Sequence, residues 1–167
     1  MKSYIVLIVI VLSSFSLNAQ MSIDELLKIN NSNPIEYISV EELRNKQMSD
    51  SLLIFDCREV PEYNVSHISS AKNVGYNHFS KKDFALQVSE KNTPIVVYCS
   101  VGIRSERIGK KLERMGYTNV KNLYGGIFEW KNKGFPVVDS TQKETENIHV
   151  FSKRWSKWSL KGMKVYE

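Results

Sequence analysis

Cysteine is scarce in this chain of 167 residues, which contains only Cys57 and Cys99. The three histidines are also few, and His78 and His149 have no partner at the spacing of metal ligands. With so few thiols and imidazoles the sequence offers no zinc site, and we expect neither a metal nor any other cofactor. The four prolines and eight glycines are scattered, so there is no internal repeat and no low-complexity block.

Excess charge is missing from most of the chain, although the formal net charge is +5. Residues 148–167 carry most of that charge and Lys2 carries the rest, which leaves residues 21–147 neutral. A nucleic-acid-binding domain presents a basic face, so we expect no nucleic-acid partner for this one.

Long apolar runs are limited to one, from Ile5 to Leu12 near the start of the chain. It follows Lys2, precedes a serine-rich stretch and ends before Ala19, which is the pattern of a secretory signal peptide over residues 1–19. The run is too short for a membrane span of about 20 residues. We therefore expect an exported protein of the bacterial periplasm, with an uncleaved N-terminal anchor helix as the alternative.

Short apolar runs alternate with helical patterns, which predicts an α/β fold with a small, mostly parallel sheet flanked by helices on both faces. The expected strands are residues 35–38, 51–56, 71–74, 95–98 and 120–123, and the expected helices are residues 22–29, a segment from Ser39, and residues 59–63, 82–88, 105–115 and 127–133. An N-terminal helix and linker would occupy residues 20–34, the domain residues 35–139, and a basic aromatic tail residues 140–167.

The strongest signal is the apolar strand that ends at Cys99. Sites in parallel sheets form at the carboxyl ends of strands, and Asp56 is expected at the same edge. A tight turn and a helix from Ser105 would aim backbone N–H groups and the positive helix end at the thiol, and Arg104 adds a cation. All three features stabilise a thiolate.

Four ordered motifs in residues 35–138 resemble the single-domain rhodanese-like sulfurtransferases. They are Asp56-Cys57-Arg58-Glu59 with Glu62-Tyr63 and His67-Ile68; Ala71-Lys72-Asn73-Val74; Cys99 to Ser105, similar to the active-site loop Cys-x-x-Gly-x-Arg-Ser; and Gly125-Gly126-Ile127 with Trp130 and Gly134-Phe135-Pro136-Val137. The sequence departs from the family at Ser66, where glycine is usual, and at Ser69-Ser70, where Pro-Gly is common.

The resemblance implies that Cys99 is a nucleophile that takes a sulfane sulfur from thiosulfate or a persulfide donor and passes it to a thiol or cyanide. The N–H groups of the loop would cradle the sulfur, and Arg104 would attract the anionic donor; a solvated surface charge is the alternative for Arg104. Asp56 and Arg58 are expected to form a supporting ion pair. The substrate-binding residues would be Ser100, Val101, Gly102, Ile103, Arg104 and Ser105.

Two rival functions stay open. Phosphatases of the same fold have five residues between the cysteine and the arginine, whereas four separate Cys99 from Arg104, which favours sulfur over a phosphoryl group. Those phosphatases also carry Asp-Cys-Arg, so Cys57 could trap Cys99 as a reversible disulfide that a thiol reductase reopens. The alternative is that Cys57 is a buried thiol in place of valine. A redox-sensing or partner-binding module is the rival to the enzyme.

The tail has aromatic and apolar residues at helical spacing, namely Ile148, Phe151, Trp155 and Trp158, with basic residues mostly elsewhere. This pattern predicts an amphipathic helix. We expect it to dock on the domain, and the alternative is contact with a membrane surface or a protein partner.

Overall fold

The computed structural model describes residues 21–48 and 52–166. The expected signal peptide, residues 1–19, lies outside the described residues. In the described part, the helices are all too short or too polar to cross a bilayer.

A five-stranded, fully parallel sheet forms the centre of the domain. Its strands are β1 (Tyr37–Ile38), β2 (Leu53–Asp56), β3 (Lys72–Asn73), β4 (Ile95–Tyr98) and β5 (Val120–Leu123). Their order across the sheet is β1-β5-β4-β2-β3, so the two long apolar runs β2 and β4 are neighbours in its middle. The predicted α/β architecture and parallel sheet are confirmed.

Helices cover both faces of the sheet. They are α1 (Ile23–Asn30), α2 (Val40–Lys46), α3 (Val60–Val65), α4 (Lys81–Gln87), α5 (Ile103–Arg114) and α6 (Gly126–Asn132). One core cluster contains Leu26 of α1, Leu43 of α2 and Phe128 of α6, packed on one face. The other contains Phe84 of α4 and Ile108 of α5. Side chains alternate along β2 and β4 between these two clusters, as they must in strands buried on both sides.

Helix α5 begins at Ile103, two residues before the predicted start. Gly102 is its N-cap and takes a left-handed conformation, with φ of 105°. This glycine turns the chain within fewer residues than the sequence pattern indicated.

The prediction of a helical tail is wrong. Residues 137–165 form four short strands, β6 (Val137–Val138), β7 (Glu144–Thr145), β8 (Asn147–His149) and β9 (Met163–Val165), and a single 3₁₀ turn, Ser156–Trp158. β8 pairs in parallel with β9. The β-branched Ile148 and Val150 favour extended backbone, and this preference prevails over the helical spacing. The tail does dock on the domain: Ile148, Val150 and Trp158 are buried in the same core cluster as Phe128.

Candidate active site

Cys99 lies at the bottom of a pocket of about 180 Å³ at the carboxyl end of β4. Only 1% of the residue is exposed. Ser100, Val101, Ile103 and Arg104 form the pocket wall on the loop side. The thiol is therefore shielded from bulk water but reachable through the pocket.

The loop aims hydrogen-bond donors at the sulfur. The backbone N–H of Gly102 donates to Cys99 Sγ at 3.2 Å, and the buried Ser105 hydroxyl lies 3.5 Å from the same atom. Both donors belong to the first turn of α5 or to its cap, so the positive end of the helix dipole points the same way. The structure thus brings Gly102 and Ser105 onto the sulfur, while Ser100, Val101 and Ile103 serve as pocket wall.

These surroundings lower the pKa of Cys99 below that of an ordinary thiol. Burial alone would raise it, but the positive charge of Arg104 and the hydrogen bonds from Ser105 and Gly102 outweigh burial. A larger fraction of Cys99 is consequently thiolate at neutral pH, which is the form that attacks sulfur.

Arg104 is not a free surface charge. Its guanidinium donates to both carboxylate oxygens of Glu62, each at 2.7 Å, and to the Ser100 hydroxyl at 3.1 Å. Burial works against the Glu62 carboxylate, yet the bonds from Arg104 hold its pKa below the usual value. The pair fixes the direction of the guanidinium and offsets part of its charge, so the attraction of Arg104 for an anion is weaker than the sequence indicated.

Glu62 was not among the predicted site residues. It stands in the quoted motif with Tyr63 and also caps α3, where its side chain accepts from the Glu59 backbone N–H at 3.0 Å. An acidic residue in a helix's first turn looks like a routine cap. Its pairing with Arg104, 42 positions later, has no local signal in the sequence.

Helix α6 supports the loop from behind. Its first N–H groups, those of Ile127 and Phe128, donate to the carbonyls of Cys99 and Ser100 at 2.9 and 3.1 Å. Gly126 permits this approach: its φ is 57°, and a Cβ there would lie 2.7 Å from the Ser100 carbonyl carbon. The Gly-Gly motif therefore holds the Cys99 backbone in place.

Asn122 of β5 fixes the other side of the loop. Its amide N–H donates to the Gly102 carbonyl at 2.8 Å, and its carbonyl oxygen accepts from the Ser105 hydroxyl at 2.8 Å. Asn122 is fully buried. A polar residue inside an apolar strand was the available signal, because a buried amide needs partners.

Asp56 and Arg58 form the expected ion pair at the end of β2. Arg58 Nη2 lies 2.6 Å from Asp56 Oδ2, and both side chains are fully buried. The same nitrogen donates to the Ser66 carbonyl at 2.6 Å, and the guanidinium lies 5.8 Å from the centre of the Tyr98 ring. The pair thus braces the backbone beside Tyr98, the residue before Cys99.

Cys57 lies beside Cys99 in the sheet. Asp56 is in register with Tyr98, and the Cys57 N–H donates to the Tyr98 carbonyl at 2.8 Å. Both cysteines are free thiols. Burial, with a smaller contribution from nearby Cys99, raises the pKa of Cys57 well above the ordinary value. The two thiols therefore follow neighbouring strands, and their pKa values are shifted in opposite directions.

Two aromatic residues of the tail complete the pocket. Phe151 and Trp155 line it opposite the loop. The sequence pattern assigned both to a docking helix, and no signal placed them near Cys99. They reach the site because the tail folds back over the same end of the sheet.

A family model for the rhodanese-like domain matches residues 39–133, more than half of the chain. The chain belongs to the rhodanese-like domain family. Its match spans β2 to β5, the Cys99 loop and α6, and stops before the tail that carries Phe151 and Trp155.

Individual relatives match over the same region. A tRNA uridine(34) hydroxylase of Buchnera aphidicola is 31% identical over 97 residues, which are 56% of this chain and 31% of that protein. A Bacillus subtilis protein that bears the name of a sulfur carrier is 33% identical over 104 residues, 62% of this chain and 55% of that protein. This chain thus spans only about a third to a half of the length of these curated relatives.

Among solved structures, the fold is similar to that of a thiosulfate sulfurtransferase from Pseudomonas aeruginosa. The TM-score is 0.60 at 19% identity, over 80% of this chain and 25% of that chain. At this identity the likeness establishes the fold and nothing more.

Proposed function

We propose that the protein is a sulfurtransferase that carries a sulfane sulfur on Cys99. The observation that carries this proposal is the thiol itself: a buried cysteine of lowered pKa, with the Gly102 N–H donating to its sulfur and the Ser105 hydroxyl 3.5 Å away, at the bottom of an open pocket. Family membership and the name of the Bacillus relative support the same chemistry.

The reaction takes place in two displacements at sulfur. The Cys99 thiolate attacks the outer sulfur of thiosulfate; the S–S bond of thiosulfate breaks, and sulfite leaves with the electron pair. An acceptor thiolate, or cyanide in an assay, then attacks the outer sulfur of the Cys99 persulfide. The electron pair of that S–S bond returns to Cys99, and the acceptor leaves as a persulfide or as thiocyanate. Charge balances in each step, and no oxidant is needed.

The donors around Sγ stabilise each anionic form. The backbone N–H groups of Gly102 and Ser105 hydrogen-bond to the resting thiolate, and the remaining N–H groups of the loop are proposed to receive the added, negatively charged sulfur. Arg104, tied to Glu62, supplies positive charge without a mobile side chain. We do not extend the tRNA chemistry of the hydroxylases to this chain, because it spans about a third of such a protein and the domain's charge is balanced.

Intact mass spectrometry tests the proposal directly. Reduced protein incubated with thiosulfate, or with a persulfide donor, is expected to gain the mass of one sulfur, which cyanide then removes. Cys99→Ser is expected to abolish the gain, and Cys57→Ser, the matched control, to retain it. A wild-type protein that gains no sulfur from either donor contradicts the proposal. Hydrolysis of aryl phosphates by such a protein would favour the phosphatase alternative instead.

The redox alternative is supported by one observation, the neighbouring positions of Cys57 and Cys99 in the sheet. In this scheme hydrogen peroxide oxidises the Cys99 thiolate to a sulfenic acid with release of hydroxide, the Cys57 thiol attacks its sulfur with loss of water, and a dithiol reductase reopens the disulfide. The raised pKa and full burial of Cys57 oppose the attack. Two free thiols at these positions after peroxide treatment would remove this candidate.

We further propose that the protein is exported, on the pattern of residues 1–19 alone. N-terminal sequencing of protein recovered from the periplasm is expected to begin at or near Gln20. Recovery of full-length chain in the membrane fraction would support the anchored alternative. Outside the cytoplasm a thiol reductase would be needed to keep Cys99 reduced.

A further inference from the structure

The pocket above Cys99 is built from two separate segments of the chain. The loop side belongs to residues 39–133, the part that matches the family. The opposite side is formed by Phe151 and Trp155, which lie outside that match. The loop supplies the reactive sulfur, and the tail supplies the surface that an incoming molecule meets.

Trp155 is held by the core. Its ring lies 5.2 Å from that of Trp158, and it packs against the core cluster that contains Ile148 and Phe128. Trp158 is almost fully buried, and its indole N–H donates to the Met21 carbonyl at 3.1 Å. The part of the pocket wall that Trp155 forms is therefore held in place by packing against the core.

Phe151 is held in an unfavourable backbone conformation. Its φ is 61°, in the left-handed region that bulky residues avoid. Its N–H donates to His149 Nδ1 at 3.2 Å, and Val150 N–H donates to the Val165 carbonyl at 2.9 Å. Because nearly half of the residue is exposed (49%), core packing does not explain the cost. Strain of this kind accumulates at sites that bind or react.

The pocket's size and surface define what fits. A cavity of about 150 Å³ holds a benzene molecule, and this pocket has about 180 Å³. Val101, Ile103, Phe151 and Trp155 offer it apolar surface. Arg104, which lines the same pocket, supplies its positive charge. A group of benzene size with an anionic substituent matches both features.

We propose that Phe151 and Trp155 are specificity-determining residues that select, as the sulfur acceptor, an organic thiolate with a compact apolar skeleton and an anionic group. The inference rests on the proposed sulfur transfer at Cys99 and names the acceptor class of that step. The acceptor thiolate attacks the outer sulfur of the Cys99 persulfide while its apolar part lies against the two rings. The electron pair of the broken S–S bond returns to Cys99, and the acceptor leaves as its persulfide.

Acceptor competition tests the inference. Protein loaded with thiosulfate is discharged by 4-mercaptobenzoate, by mercaptoethanesulfonate as a small anionic thiol, or by cyanide, and kcat/KM is measured for each. In Phe151→Ala and in Trp155→Ala the ratio of mercaptobenzoate to cyanide is expected to fall by about fivefold to tenfold, the usual effect of removing part of an apolar pocket. The ratio of mercaptoethanesulfonate to cyanide is expected to stay within about twofold. Ratios between variants cancel the intrinsic reactivity of each acceptor.

Leu160→Ala is the matched control, since Leu160 is an exposed apolar residue of the same tail and does not line this pocket. Its ratios are expected to equal those of the wild type. Thermal melts are recorded for every variant. If Trp155→Ala detaches the tail from the core, the acceptor ratios of Phe151→Ala, a substitution at a half-exposed position, test the inference. Unchanged ratios in variants that fold overturn the acceptor inference. If the same proteins still load sulfur and release it to cyanide, the sulfur-transfer proposal stands. A wild-type Cys99 that takes no sulfur overturns both.

Discussion

The ion pair between Arg104 and Glu62 makes Arg104→Met the most informative substitution in the site. Methionine keeps the apolar stem of arginine but is shorter and lacks the charged guanidinium. Two consequences can be separated: Glu62 loses the partner that bonds both its oxygens, and Cys99 loses the cation that opposes burial.

The stability effect follows from the burial of Glu62, whose side chain is only 2% exposed. Removing one partner of a fully buried pair costs about 3–5 kcal/mol. Arg104 keeps 23% of its side chain exposed, so water replaces part of the lost interaction, and we expect a loss of about 2 kcal/mol in the free energy of unfolding. In the double variant with Glu62→Gln no charge is stranded, and the loss should shrink to below about 1 kcal/mol. Urea melts at neutral pH measure both.

The difference in unfolding free energy between the wild type and Arg104→Met should depend on pH. The pKa of Glu62 is lower in the folded protein than in the unfolded chain, so the pair stabilises the wild type above the unfolded pKa of about 4.3 and loses that stabilisation as pH falls through the folded pKa. In Arg104→Met the unpaired carboxylate is instead harder to ionise. The loss of unfolding free energy in Arg104→Met, relative to the wild type, should therefore decrease as the pH is lowered.

The ionisation of Cys99 is the second property that Arg104→Met should change. Without Arg104, burial dominates and the pKa of Cys99 rises, so persulfide formation at neutral pH should slow by about tenfold or more and recover in alkali. Glu62→Gln alone leaves Arg104 uncompensated and should lower the pKa of Cys99 further. Ultraviolet thiolate absorbance against pH measures both shifts. Titration of Arg104→Met along the wild-type curve would refute the electrostatic explanation and leave Gly102 and Ser105 as the cause.

Three further substitutions test the supports of the site. Gly126→Ala forces a Cβ against the Ser100 carbonyl at a left-handed φ; unfolding melts should show a loss of about 1–3 kcal/mol, and a native melt would contradict the back support of the loop. Ser105→Ala removes a hydroxyl that donates to Asn122 Oδ1 at 2.8 Å and lies 3.5 Å from Sγ, so the rate of persulfide formation at neutral pH should fall by less than about tenfold, as stopped-flow loading can check. Trp158→Ala empties the seat of the tail, costing about 3 kcal/mol in a urea melt and exposing residues 147–166 to proteases.

The fold and the position of Cys99 at the end of β4 were predictable because their signals are local. Two continuous apolar runs, a cysteine at the end of one and helical periodicity after it specify a parallel sheet with a thiol at its edge. The family motifs added the loop residues 100–105 and the pair of Asp56 with Arg58. Element ends differed by one or two residues, as at Gly102, whose left-handed conformation lets α5 begin two residues earlier than expected.

The missed residues act across the chain. Glu62 reaches Arg104, Asn122 holds Gly102 and Ser105, and Phe151 lies over Cys99, in each case between elements that are distant in sequence. The tail was wrongly predicted as a helix because its aromatic spacing fits a period of 3.6 residues. The β-branched residues at positions 148 and 150 and the pairing of β8 with β9 determined its conformation instead, and the partner strand β9 could not be read from the aromatic spacing.

The pocket's two-part construction separates reactivity from selectivity. Substitutions in the tail can reshape the wall at Phe151 and Trp155 while the hydrogen bonds to the Cys99 sulfur, which come from Gly102 and Ser105, stay in place. Under the proposed sulfur transfer, acceptor preference could therefore change, by drift or by engineering, without any change in the pKa of Cys99. Grafting a different tail onto the same sheet and loop would then be a direct way to alter the acceptor.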